Sequence, residues 1–182
     1  LRPQLGESWS PAPTTQDGLA LNAADPMESG KSLKLVEDMI AGLMSYDQKS
    51  LSSMGMKRFW APQFQWYGPG GIGSARGHDD YERAHQGPFL KAFPDRIGGN
   101  HKCRIGEGTY VASTGWPSLN ATHFGDDWIG LPATGKRITQ RIMDFWRRED
   151  DMLVENWVFI DMVDLISQFG IDLLPDHKRE TK

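Results

Sequence analysis

Apolar residues recur at three- and four-residue spacing through Leu35, Val36, Met39, Ile40, Leu43 and Met44, which predicts a helix from Ser32 with one face turned to a core. A second, short helix is expected after Asp47, with Leu51, Met54 and Phe59 inward. The period then changes: Phe64-Gln65-Trp66-Tyr67 reads as a short strand, closed by the turn residues Gly68-Pro69-Gly70-Gly71. A third helix is expected from Asp79 or Asp80, whose carboxylates suit a helix N-terminus. It would set Tyr81, His85 and Phe89 on one side, with Pro88 kinking or ending it. Beyond it, segments 100–106, 109–114, 118–129, 138–147 and 153–160 read as strands separated by glycine, proline or acidic turns. Glu149-Asp150-Asp151 forms a hairpin tip, and a last short helix over 162–169 is closed by Gly170.

Helices first and strands after them indicate an α+β fold. The expected form is a curved antiparallel sheet of about five to six strands wrapped around the N-terminal helices, with a pocket between them. Residues 1–30, rich in Pro, Ser, Thr, Gly and Asn, read as an extended arm that Trp9 could anchor; 31–175 form the domain and 176–182 a tail. A chain of 182 residues supports one buried core. A net charge of -4 with no basic stripe argues against a nucleic-acid partner. No apolar run has the length of a membrane span, so no membrane partner is expected. The single cysteine, Cys103, forms no internal disulfide, which points to a reducing, cytoplasmic setting.

Several motif-like strings carry no chemistry. Gly68 to Gly73 fits G-x-G-x-x-G, but Ser74-Ala75-Arg76-Gly77 intervenes before any helix and no βαβ unit follows, so a pocket-rim loop is the better reading. Gly30-Lys31-Ser32 lacks the earlier glycine of a phosphate loop and marks the first helix start instead. His101 and Cys103 share a strand face but have no second ligand pair, so no metal is expected and Cys103 reads as a buried thiol.

Asp144 is the sharpest candidate. Period two puts it on one strand face with Ile142 and Trp146, and a carboxyl among such residues must be paired or take a raised pKa. That suits a general base or acid; the plainer reading is a carboxylate bracing His123 or a tryptophan N–H. His123 is a second proton-transfer candidate. Asp161 suits a cap on the last helix, and Glu155 an ion pair or an interface contact. Trp66, Tyr67 and Trp116 are candidate ring walls for a flat apolar substrate, while most strand aromatics belong to the core.

Four stretches, Phe93-Pro94-Asp95, Thr122-His123-Phe124-Gly125, Pro132-Ala133-Thr134-Gly135-Lys136-Arg137 and the run from Glu155-Asn156-Trp157 through Asp161 to Gln168-Phe169-Gly170, together resemble the SnoaL-like polyketide cyclases, a group of NTF2-like cone domains. The resemblance implies a cofactor-free homodimer, packed through the outer sheet face, that closes a polyketide ring by intramolecular aldol condensation. It also implies that the family's acid/base aspartate falls at Val158, its pocket histidine at Asp144, and a second histidine at Asn156. Asp144 then stands as a relocated carboxylate working with His123 or Asn156. Ile142, Trp146, Val158 and His101 join Trp66, Tyr67 and Trp116 as the expected substrate wall. Met143, Phe145, Glu155 and Trp157 face the other way. Two alternatives stand beside the cyclase or isomerase: a non-catalytic ligand-binding domain, and a small-molecule hydrolase or dehydratase marked by Asp144 beside Asn156 or His101.

Overall fold

The structure, a computed structural model, describes residues 24–125 and 127–174; Trp9 and the tail 176–182 lie outside the described residues. The first helix, α1 (Pro26–Met44), starts well before Ser32. Asp25 is its N-cap, accepting from the Met27 amide at 2.8 Å, and Pro26 supplies a preset φ at the first position. Gly30-Lys31-Ser32 therefore lies inside the helix. Ser32 is completely buried and has a docking role: its Oγ donates to the Gly108 carbonyl at 2.6 Å and accepts from Arg148 Nε at 2.9 Å. Arg148, itself buried, also pairs with Glu28, so one guanidinium ties the start of α1 to the far end of the sheet.

Two 3-10 turns follow, Leu51–Met54 and Met56–Arg58, and lead into β1 (Trp60–Tyr67). The glycine loop then returns through a three-residue strand, β2 (Ser74–Arg76). Helix α2 (Gly77–Tyr81) passes through a π-helical turn (Glu82–Gln86) into α3 (Gly87–Ala92). Asp80 does not start this helix; it reaches back to accept from the Arg76 amide at 3.0 Å. Pro88 does not end it either. The widened turn, in which the Gly87 amide bonds the Glu82 carbonyl, absorbs a residue that has no N–H and crowds the carbonyl four positions before it.

The remaining strands are β3 (Ile97–Gly98), β4 (Cys103–Glu107), β5 (Tyr110–Thr122), β6 (Arg137–Glu149) and β7 (Met152–Ile160), before α4 (Met162–Gln168). The expected α+β class with a curved sheet holds. The sheet has seven strands in the order β2-β1-β7-β6-β5-β3, with β4 also on β5. The two added strands are two and three residues long, too short to show a period. All pairings are antiparallel except β1 with β7, which is parallel. Segments 109–114 and 118–129 do not make two strands: β5 runs through Trp116-Pro117 and stops at Thr122. A register shift between Gly115 and Leu119 absorbs the proline, which has no N–H for the ladder.

The core fills the concave side, where Val36 and Met39 of α1 and Leu165 and Ile166 of α4 join Met54, Phe64, Trp66 and Phe93. Asp161 caps α4 through the Asp164 amide at 3.0 Å, and Glu155 is buried against Arg147. Cys103 is exposed, because its strand lies near the sheet edge with that face open. No helix among the described residues is long and apolar enough to cross a membrane.

Gly115 is the closest approach in the fold. A Cβ there would collide with the Asn100 carbonyl oxygen and sit 2.6 Å from the His101 Cα. The segment bearing His101 can lie over β5 only because this side chain is missing. Gly115→Ala is expected to cost roughly 1–3 kcal/mol, the usual range for overpacking. A thermal melt checks it: the midpoint falls by several degrees, and an unchanged midpoint would show the segment free to lift away.

Candidate functional site

Strand register alone assembles the site. Cross-strand partners share a sheet face, so the ladder places Arg104, Ser113, Asp144 and Val158 in one row across four strands. The next row is Val111, Trp146, Asn156 and Trp66. Arg104, Asp144 and Val158 of the first row and Trp146, Asn156 and Trp66 of the second, with Ile142 and Ile160, supply the sheet wall of a cavity of about 490 Å³ roofed by α1 and the α2–α3 helix. Tyr81, His85 and Phe89 line it from the helix side, at the four-residue steps the sequence predicts.

Asp144 is the chemical centre. Its side chain keeps 16% of its surface accessible, and that surface opens onto the cavity. Burial pushes its carboxyl up to about 7, against a lowering hydrogen bond from Asn156. Asn156 Nδ2 donates to the Phe145 carbonyl at 3.0 Å and reaches Asp144 Oδ1 at 3.4 Å. His101 Nε2 stands 3.7 Å from the other oxygen, Oδ2. Burial, and then the charge of Arg104, holds the His101 imidazole below its usual range. The three groups thus present a carboxyl flanked by an amide and a neutral imidazole.

The helix side adds two groups that sequence reasoning passed over as site residues. Burial, reinforced by Asp144, pushes the Tyr81 phenol well above its ordinary value, so it stays a donor. Burial drives His85 down to about 3, and its ring stacks on Trp66 at 4.2 Å between centroids. Both sit on the side chosen by the helical period, which was the available signal. Ser113 and Arg104 could not have been found without the register. Among the described residues Ser113 Oγ, Arg104 Nε, His101 Nδ1 and His85 Nδ1 are buried without a hydrogen-bond partner.

Of the expected site residues, Asp144, Asn156, His101, Trp66, Ile142, Trp146 and Val158 line this cavity together. His123, Tyr67 and Trp116 do not. His123 is fully buried in a different aromatic cluster, stacked on Phe169 at 4.2 Å with Nδ1 against Thr134 Oγ1 at 3.2 Å. It does not meet Asp144; the strand it was read on ends at Thr122, before its side chain could enter the pocket row. Tyr67 stacks on Trp157 at 5.6 Å beside the glycine loop, on the opposite sheet face. Trp116 lies at the strand bulge, 59% exposed under the Arg141 guanidinium. Met143 and Phe159 are also exposed, so the outer face carries apolar surface, as the alternation implies.

Raising the pKa of a buried acid couples to stability with a definite sign. In the unfolded chain the acid ionises near 3.9; in the fold it keeps its proton to about 7. The folded state therefore holds the extra proton between these values, and stability present below the lower one is lost as pH rises through about 7. Asp144→Asn removes that titration. The variant is expected to melt higher than the wild type at pH 8 and alike at pH 4, since a tenfold difference in proton affinity between fold and unfolded chain is worth about 1.4 kcal/mol. Equal melting at both pH values would mean that the carboxyl is solvated.

The sequence profile of the SnoaL-like polyketide cyclase family matches residues 46–169. Among solved structures, AclR from Streptomyces galilaeus, a candidate hydroxylase, is 27% identical, with a TM-score of 0.59 over 78% of this chain and 97% of that one. IdmH from Streptomyces antibioticus, a candidate polyketide cyclase, is 23% identical, with a TM-score of 0.55 over 74% and 98%. A candidate SnoaL-like polyketide cyclase from Jannaschia sp. CCS1 is 15% identical, with a TM-score of 0.64 over 82% and 97%. At these identities the last two speak for the fold. No curated protein matches the chain.

Proposed function

The chain belongs to the SnoaL-like polyketide cyclase family, and on that premise we propose that it is a cofactor-free cyclase or isomerase acting on a polyketide-like or other largely apolar substrate by carboxylate acid/base chemistry. The observation that carries this reading is the Asp144 carboxyl, raised to about 7 at the wall of an aromatic-lined cavity. A catalytic group transfers protons best when its pKa lies near the working pH.

The residues divide the work as follows. Asp144 takes a proton from a carbon beside a carbonyl, and Tyr81 and His101 donate to the oxygen on which the enolate charge develops. The enolate carbon attacks a second carbonyl of the same chain, forming one carbon–carbon bond. The new alkoxide recovers the proton from Asp144, so the enzyme ends as it began. Asn156 holds the carboxyl, and Trp66 and Trp146 press the chain into the folded pose. The family's aspartate position, Val158, is the direct cross-strand neighbour of Asp144. Opposed residues lie roughly 5 Å apart at Cα, so a carboxyl moved across one strand reaches the same volume.

The Asp144–Asn156–His101 grouping also favours a second reading, a hydrolase or dehydratase in which the carboxyl and amide hold a water. A pure ligand-binding domain is less well supported, since a carboxyl kept this far from its ordinary pKa costs stability that simple binding does not need. His123 has no role in the reaction. The protein is read as a cytoplasmic homodimer closed through the outer sheet face, where Met143 and Phe159 are exposed beside the Tyr67–Trp157 stack.

Two experiments test these readings. With an enolisable poly-β-ketone substrate, Asp144→Asn is expected to slow the reaction by about 10²-fold or more. The wild-type rate should rise with pH through about 7 as the carboxylate forms. Retained turnover in the variant would overturn the assignment. In sedimentation, Phe159→Arg is expected to convert a dimer to a monomer; an unchanged mass would move the interface elsewhere.

A further inference from the structure

Gln140 is an anomaly in the cavity wall. Alternation along β6 turns it inward with Ile142, Asp144 and Trp146, and it lines the cavity while its side chain has no exposure. Neither Nε2 nor Oε1 has a hydrogen-bond partner among the described residues. Its surroundings explain why. The cross-strand neighbour is Leu119, and the next residue inward is Ile142. The nearby Ser118 hydroxyl is already committed, donating to the Gly115 carbonyl at 2.5 Å and accepting from the Ile142 amide at 3.0 Å. A primary amide offers two donors and an acceptor, and leaving all of them idle in an apolar wall costs free energy that a leucine there would not. Among the described residues nothing satisfies it, and a ligand in the cavity it lines does so once the side chain shifts enough to expose the amide.

We propose that Gln140 is the recognition element for the end of the ligand remote from Asp144, and that it selects an elongated apolar molecule ending in a neutral group with a donor beside an acceptor, such as a carboxamide or a hydroxyl next to a ketone. This deepens the acid/base reading and rests on the same cavity being the ligand site. Gln140 lies four residue steps along the strand from Asp144, a span of roughly 13 Å between Cα atoms, so one rigid ligand can engage both. Donor and acceptor lie side by side whichever way the amide is turned, so the match does not depend on telling its oxygen from its nitrogen. A carboxylate fits less well: it would satisfy Nε2 and set its charge against the Oε1 lone pairs.

Matched probes test the proposal: anthracene-2-carboxamide, 2-isopropylanthracene of the same outline, and anthracene-2-carboxylate, followed by quenching of the cavity tryptophans. Gln140→Leu keeps the volume and removes the amide. The carboxamide-to-isopropyl affinity ratio is expected to fall about tenfold or more in the variant, as for a site whose buried polar group loses its partner. The unliganded variant should melt no lower than the wild type. An unchanged ratio, a lower melting point, or a carboxylate bound by the wild type as tightly as the carboxamide would each overturn the proposal. The ratio should persist in Asp144→Asn, so failure of the catalytic reading and failure of this one register separately.

Discussion

The curved wall of β5, β6 and β7 keeps the carboxyl of Asp144 from bulk water, and most of the molecule's chemistry follows from that. Water would hold the group ionised and inert as an acid at neutral pH. In the cavity its neutral and charged forms lie close in free energy. Holding it there needs the ladder register, since a slip of one residue would send Asp144 to the outer face and bring Met143 or Phe145 in. Bonds far from the site fix that register. Arg148 links the end of β6 to Ser32 and Glu28 on α1, and Arg147 pairs across to Glu155 on β7.

The site also gathers most of the buried polar groups that have no hydrogen-bond partner among the described residues. Ser113 Oγ, Arg104 Nε, His85 Nδ1, His101 Nδ1 and the Gln140 amide all lie in or beside the cavity wall. Outside it Gln65 Oε1 and Arg76 Nε are also buried without a partner among the described residues, while the buried Arg147 and Arg148 are paired. Idle donors and acceptors lower stability. Their concentration on one concave surface is what a preorganised binding site requires, because the partners arrive with the ligand.

Much of this was legible in the chain. Period two along β6 put Asp144 with Ile142 and Trp146, and the same period held the Gln140 signal, a polar residue in an apolar series. The helical period set Tyr81, His85 and Phe89 on one side. What the sequence hid was register and long-range approach. His101 precedes its strand and meets Asp144 only because Gly115 lets the segment lie against β5. His123 looked like a partner for Asp144 through its residue type, yet β5 ends just before it and its ring joins Phe169 instead. Pro88 and Pro117 read as breakers, but a π-helical turn and a strand bulge absorbed them. The Asp25-Pro26 start of α1 was hidden by the glycine and polar residues that follow it.

The proposed chemistry turns on the protonation of one carboxyl group, and carbon-13 NMR reads it directly. Protein labelled at the aspartate carboxyl carbons, with the Asp144 signal assigned by its disappearance in Asp144→Asn, would be titrated across the neutral range. A midpoint near 7 is the predicted result. A midpoint near the ordinary aspartate value of about 3.9 would contradict the account, because a carboxyl that ionises so easily is not raised by burial.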